Sequence, residues 1–225
     1  MSELRGVLLD IDGTLVDSND AHALAWVESL EQFGHKASLD VVRKAIGMGG
    51  DRMLPMLIKI EEDTPEGQAI AKARGQIFKA KYLSALRPFA HTRELVERLL
   101  GAGLKVGMAT SAKAQEVDHL LRIANVDDLV KVGADSSEIE SSKPSPDVVQ
   151  VALKKLGLAP HEAVMIGDTP YDVKAGKRAG VKVIALRCGG HPDEALEGAD
   201  NIVDDVADLL RTIDRTVLGP AVSRG

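Results

Sequence analysis

Short apolar runs at residues 6–10, 104–109, 129–132, 163–166, 181–186 and, more weakly, 201–203 alternate along the chain with helix-period stretches. Each run is too short for a helix, and the next follows only after a segment long enough to cross back over a sheet. That pattern leaves few solutions. The simplest is a mostly parallel sheet with helices on both faces, its crossovers all of one hand. The predicted fold class is therefore α/β, with a Rossmann-like doubly wound core.

The alternation fails once. Between about Val16 and Leu86 the sequence reads as consecutive amphipathic helices with no convincing strand. This predicts a helical cap domain at residues 17–86 inserted into a core made of residues 1–16 and 87–225. Its first helix is expected to start at Ser18 as N-cap, run through Trp26 and end near Phe33, with Gly34 stopping it. Pro88 marks the return to the core. The tail from Leu218, LGPAVSRG, shows no periodicity and is expected to fray.

Composition narrows the function. A chain of 225 residues can bury a full core without disulfides or metals. With 28 basic against 34 acidic residues, a net charge of −6 and only 3% aromatics, it has neither a basic footprint nor a stacking platform, so nucleic acid is not the expected partner. No apolar stretch approaches the roughly 20 residues of a membrane span. The lone Cys188 can form no internal bridge, and the opening residues lack the pattern of an export signal, so a cytoplasmic setting is expected. A small-molecule ligand is the expectation, on a monomer or homodimer.

Chemistry-bearing residues fall at the ends of successive runs. The first run delivers Asp10 and Asp12, two apart and so projecting to the same side of extended chain, and Gly13 then lets the chain turn away. The second ends in Thr110 and Ser111, whose hydroxyls and adjacent N–H groups can hold a phosphoryl oxygen. Lys143 follows in a proline-stiffened loop, and the next run ends in Asp168, with Asp172 four residues on. Taken singly, each has a structural reading: a strand-end aspartate or hydroxyl is a common helix cap, and a lone lysine is commonly solvated. Caps alone do not account for carboxylates, a hydroxyl, a lysine and further carboxylates arriving in that order.

The ordered set DIDGTLVD, MATS, KPSPD and GDTPYD resembles the haloacid dehalogenase superfamily over almost the whole chain. The helical insertion directly after the first motif is similar to the small cap of the subgroup containing phosphoglycolate phosphatase and β-phosphoglucomutase. The resemblance implies that Asp10 is the nucleophile and Asp12 the general acid and base. It also implies Mg²⁺ held by the side chains of Asp10 and Asp168 with the backbone carbonyl of Asp12, and Asp172 as an outer partner. Lys143 would orient Asp10 and stabilise the transferring group, while Thr110, Ser111 and the Gly13 turn bind its oxygens.

A carboxylate attacking a phosphate ester needs countercharge, and an oxygen-rich inventory suits Mg²⁺ rather than zinc. Repulsion from Asp10 is expected to keep Asp12 protonated until it is needed. The implied activity is release of phosphate from a small phosphorylated metabolite, with sugar phosphomutase as the alternative. Against the mutase, the fourth motif has Gly167 before Asp168 where the mutases carry a Glu-Asp pair, and the cap loop IGMGGDR has Gly49 and Gly50 near the mutase arginine. Arg52 either meets a second substrate anion or forms a surface ion pair. His22, ten residues after Asp12, either tunes that carboxylate, as in the mutases, or is an ordinary helix histidine. Trp26 is expected to pack, and Cys188 is assigned no catalytic role.

Overall fold

The structure is a computed structural model and describes residues 3–130 and 133–223. Strand β1 (Gly6–Leu9) leads to a short strand β2 (Val16–Asp17), then four helices, α1 (Asn19–Gln32), α2 (Leu39–Ala45), α3 (Gly50–Ile58) and α4 (Pro65–Ile77), before β3 (Arg87–Pro88). Helix and strand then alternate: α5 (Thr92–Gly101), β4 (Lys105–Ala109), α6 (Ala114–Ile123), β5 (Gly133–Ala134), α7 (Asp147–Leu156), β6 (Ala163–Gly167), α8 (Pro170–Ala179) and β7 (Lys182–Leu186). The chain closes with β8 (Asn201–Val203), α9 (Val206–Thr212) and α10 (Gly219–Val222).

One sheet takes the order β5-β4-β1-β6-β7-β8, every neighbouring pair parallel. Strand β1 lies inside it and is buried along its whole length, which is why it reads as a continuous apolar run rather than an alternating one. Val7 and Leu9 face a cluster with Leu95 and Leu99 of α5 and Leu209 of α9. Leu8 faces the opposite cluster, with Val148 and Ala152 of α7 and Val173 of α8. Because β1 is flanked by β4 on one side and β6 on the other, the crevice at the strands' carboxyl ends opens where β1 ends.

The inserted helices have their own core, in which Trp26 and Leu30 of α1 meet Val42 of α2, Leu54 of α3 and Ile70 of α4. Outgoing and returning chain pair antiparallel as β2 and β3, with Val16 opposite Pro88 and Asp17 opposite Arg87.

Two expectations are corrected and a third is qualified. The third run was placed at 129–132, but the strand is β5, in register with Met108 and Ala109. Leu129 and Val130 belong instead to a turn whose amides donate to the Val126 carbonyl, and residues 131 and 132 lie outside the described residues. The tail does not fray at Leu218: Leu218, Ala221 and Val222 join the main core, and Arg98 Nη2 donates to the Val222 carbonyl at 3.2 Å. Ser18 does stand at the N-cap of α1, but its hydroxyl makes no cap bond. It donates to Asp12 instead, at 2.5 Å.

Candidate active site

Asp10, Thr110 and Asp168 each sit one residue past a strand, after β1, β4 and β6, so adjacent strands of the sheet deliver them to one edge. Lys143 arrives from the loop between β5 and α7 and is fully buried. Its Nζ lies 2.7 Å from Asp10 Oδ1 and 2.6 Å from Asp172 Oδ1. Asp172, in the first turn of α8, also accepts from the Thr169 amide at 3.0 Å and the Thr169 hydroxyl at 2.6 Å. It therefore caps its helix and holds the lysine at once.

Asp10, Asp168 and Asp172 each offer an oxygen within 4.8 Å of the others, and all three are buried. Burial, then the charges of Asp172 and Asp168, push the Asp10 carboxyl well above the usual range, although Lys143 pulls it back in part. Burial and Asp172 likewise push Asp168 up to about 7, against the hydrogen bonds from Thr14 and Asn19. Burial works against the Lys143 ammonium, yet the Asp10 and Asp172 carboxylates outweigh it and hold its pKa above the ordinary lysine value.

Three buried carboxylates against one ammonium leave the cluster short of positive charge. A divalent cation that prefers oxygen fits this donor set and supplies what is lacking.

This charge balance has a measurable consequence in metal-free protein. Between the ordinary aspartate value of 3.8 and about 7, folded Asp168 keeps a proton that the unfolded chain has released. Stability contributed by that proton is complete below 3.8 and is lost as pH rises towards 7. Melting temperatures in the presence of chelator are expected to fall across this window, and a divalent cation is expected to offset the fall, since it binds the ionised carboxylates. A metal-free melting temperature that rises over the same range would contradict the arrangement.

Asp12 takes a different direction from Asp10. His22 Nε2 lies 2.8 Å from Asp12 Oδ1, the oxygen that also accepts from Ser18, and the His22 ring stacks on Phe78 with centroids 4.0 Å apart. Burial alone would raise Asp12, but His22, Ser18 and Arg74 together hold it below the usual range. The expectation that repulsion from Asp10 keeps it protonated is therefore corrected: its direct partners are the His22 ring and the Ser18 hydroxyl, not a second carboxylate. Its side chain stands apart from the three-carboxylate cluster, so nothing there conflicts with a ligand role confined to its backbone carbonyl.

Gly13 has φ 75°, and a Cβ there would fall 2.1 Å from Asn19 Nδ2 and 2.2 Å from Asp168 Oδ2. The glycine is needed for this close approach as well as for its turn. Thr110 Oγ1 accepts from the Ala112 amide at 3.1 Å, while Ser111 Oγ is buried without a hydrogen-bond partner. Both line, with Asp10, Asp12 and His22, a cavity of about 890 Å³ between the sheet edge and the inserted helices.

Gly49 and Gly50 line it too, and a Cβ on Gly49 would meet Ser142 Oγ at 2.1 Å. Arg52 is not brought in. It donates to Ser141 and lies 3.8 Å from Asp51, its side chain 49% exposed. Cys188 Sγ donates to the Gly13 carbonyl at 3.3 Å, and burial pushes its thiol up, away from reactivity.

Sequence reasoning missed three residues. Thr14 Oγ1 donates to Asp168 Oδ1 at 2.7 Å and Asn19 Nδ2 to Asp168 Oδ2 at 2.8 Å, so each oxygen of that carboxylate is held from the first motif and the first turn of α1. Arg74 of α4 lines the cavity and pairs with Glu116 of α6. Thr14 lies within the first motif and Asn19 two residues beyond it, so both were open to notice; Arg74 carries no local signal that sets it apart from Lys72 on the same helix.

The profile described as haloacid dehalogenase-like hydrolase matches residues 7–186. Phosphoglycolate phosphatase of Aquifex aeolicus (strain VF5) is 31% identical over 223 residues, covering 96% of this chain and 99% of that protein. Pyrophosphatase PpaX of Bacillus cereus (strain AH820) is 28% identical over 211 residues, covering 92% and 95%. Among solved structures, a hydrolase from Pseudomonas syringae superposes with a TM-score of 0.88 at 27% identity, over 94% of this chain and 98% of that one. No helix among the described residues is long and apolar enough to cross a membrane. With the profile running from β1 to the end of β7 and the three carboxylates gathered at the sheet's edge, the chain belongs to the haloacid dehalogenase-like hydrolase family.

Proposed function

We propose that this protein is a Mg²⁺-dependent phosphatase of small phosphomonoesters, working through an aspartyl-phosphate. The observation that carries this reading is the Asp10–Lys143–Asp172 chain of buried contacts beside Asp168, which holds one carboxylate fixed and facing a cavity. Mg²⁺ bound by Asp10 and Asp168, with the Asp12 carbonyl, would neutralise charge between carboxylate and phosphate. The reading includes the division into a core of residues 1–16 and 87–225 and a cap of residues 17–86 that closes over the substrate.

An Asp10 oxygen attacks phosphorus as the ester oxygen leaves, and Asp12 gives that oxygen its proton. Asp12 rests ionised beside His22; an arriving phosphate dianion raises its affinity for a proton, which Asp12 takes up from solvent before the ester oxygen leaves. It then takes a proton from water, whose oxygen attacks the phosphorus and frees Asp10. Lys143 stays paired with Asp10 throughout, and Thr110 with the unpartnered Ser111 hydroxyl binds the remaining phosphoryl oxygens.

Phosphate release from a panel of phosphorylated metabolites, with and without Mg²⁺, tests the reading: metal-dependent release is expected. Replacing Asp12 by Asn should lower the rate by at least about a hundredfold while Mg²⁺ affinity by calorimetry is unchanged, because the backbone carbonyl persists. Markedly weaker Mg²⁺ binding would mean that its role is misassigned. The His22–Asp12 contact favours a second reading, phosphoryl transfer between sugar hydroxyls. Interconversion of sugar phosphates without net release would select it.

A further inference from the structure

The inner wall of the cavity carries cations that are already paired. Arg74 is only 7% exposed, its guanidinium carbon lies 5.3 Å from the centre of the Trp26 ring, and its Nη1 reaches the two carboxylate oxygens of Glu116 at 2.9 and 3.1 Å. Its Nε is buried without a hydrogen-bond partner. His22, a buried imidazole of the lining, is held by Asp12. Lys113 faces Glu62 at 3.1 Å. Lys72 and Lys79 complete the lysines of the lining, but both are exposed, where an anion keeps its water and gains little from them. Away from Asp10 and Asp12, the lining has as many carboxylates as lysines and arginines, so it carries no excess positive charge from them.

A phosphate at the strand ends would meet Lys143 and the cation that the three carboxylates would hold. A second anion elsewhere on the substrate meets, among the described residues of the lining, no buried lysine or arginine that is without a carboxylate partner. It would meet Arg74 only through the unpartnered Nε, beside the half-buried Glu116 carboxylate that already neutralises the guanidinium, or lie against Glu116 and Glu62 directly. A neutral hydroxylated body has no such conflict, since hydroxyls donate to carboxylates and its C–H faces pack on Trp26, Met48, Met53 and Phe78. A volume of about 890 Å³ leaves room for such a body.

We propose that the cavity selects phosphomonoesters whose only anionic group is the phosphate, carried on a neutral hydroxylated body of sugar size. Glu116 enforces the choice by neutralising Arg74. This rests on the phosphatase reading for turnover, but the selection itself is a property of binding. It names a different class from the substrates in the names of the two relatives above.

The test compares glucose 6-phosphate with 6-phosphogluconate, the same skeleton bearing an added carboxylate. Calorimetry with Mg²⁺ on the Asp10→Asn chain reads affinity independently of turnover. Glucose 6-phosphate is expected to bind at least about tenfold more tightly, and Glu116→Gln in the same background is expected to narrow the ratio by about fivefold or more. The parent preference decides the class and the Glu116→Gln ratio decides its cause. Equal or reversed affinities in the parent overturn the proposal, as does an unchanged ratio in a Glu116→Gln chain that melts like its parent. If that variant does not fold, Arg74→Met is read instead, and it is expected to keep the preference for glucose 6-phosphate. A reversal there overturns the role of the pair. Wild-type protein that keeps the binding preference but releases no phosphate from either compound, or from any other in the panel, supports the selection and overturns the phosphatase reading.

Discussion

Asp10→Asn is expected to abolish phosphate release, with a loss of at least about a thousandfold, in a protein that folds as the wild type does. An amide keeps the shape of the carboxylate but cannot attack phosphorus, so the covalent route closes at its first step. Stability should not suffer. Asp10 is one of three buried carboxylates around one lysine, and its own proton affinity is raised by burial and by Asp172 and Asp168. Removing its charge relieves that repulsion, while Lys143 keeps Asp172 at 2.6 Å. The metal-free melting temperature above pH 7 is therefore expected to equal or exceed that of wild type. Release and melting are measured on the same samples. Activity within tenfold of wild type would remove the covalent mechanism; lost activity together with a collapsed melting transition would show that Asp10 holds the fold and would leave the nucleophile unassigned.

The fold was legible because burial on both faces imposes a readable pattern. Strand β1 lies between two helix layers, so Val7, Leu8 and Leu9 are all apolar, and the same logic exposes β6 and β7. It fails for β5, whose Gly133 and Ala134 are small because the strand packs directly on Met108, where a Cβ on Gly133 would come within 2.6 Å. An apolar run just upstream, at Leu129 and Val130, captured the strand assignment instead. The tail failed for a related reason: Leu218, Ala221 and Val222 are too few to show a period, yet together they cover the main core.

The site was legible where chemistry follows strand ends and illegible where it depends on contacts between distant segments. Asp10, Thr110 and Asp168 follow from the sheet, and Lys143 from its loop. The direction of Asp12 does not, because it is decided by His22 and Ser18 on a helix whose approach no local pattern records. Arg74 is the extreme case, since its partner Glu116 lies 42 residues away on the opposite wall of the cavity. A lysine and an arginine of equal sequence prominence differ from Arg74: Lys72 lines the cavity but is exposed, and Arg52 pairs with Ser141 of a neighbouring loop. Charge on a helix of the insertion therefore locates the cavity wall without saying which charge enters it.

Lys143→Met is expected to destabilise metal-free protein by about 3–5 kcal/mol at neutral pH, the cost of leaving buried carboxylates without their partner. Methionine is close in volume and shape to the lysine stem, so packing around a fully buried side chain is largely preserved and the loss reports charge. Three carboxylates then share one site with no cation, and both Asp10 and Asp172 lose a contact shorter than 2.8 Å. Two further signs separate this from a packing defect. The deficit should shrink in acid, because below the ordinary aspartate value of 3.8 the carboxylates are neutral in the folded and unfolded chain alike and a missing ammonium matters little. Mg²⁺ should also raise the stability of the variant by more than it raises that of wild type, since the ion meets a more negative site. Urea unfolding at acid and neutral pH, with chelator and with Mg²⁺, reads all three. A deficit of equal size at both pH values would assign Lys143 a packing role, and an equal Mg²⁺ increment in the two proteins would show that the ion does not bind within reach of that ammonium.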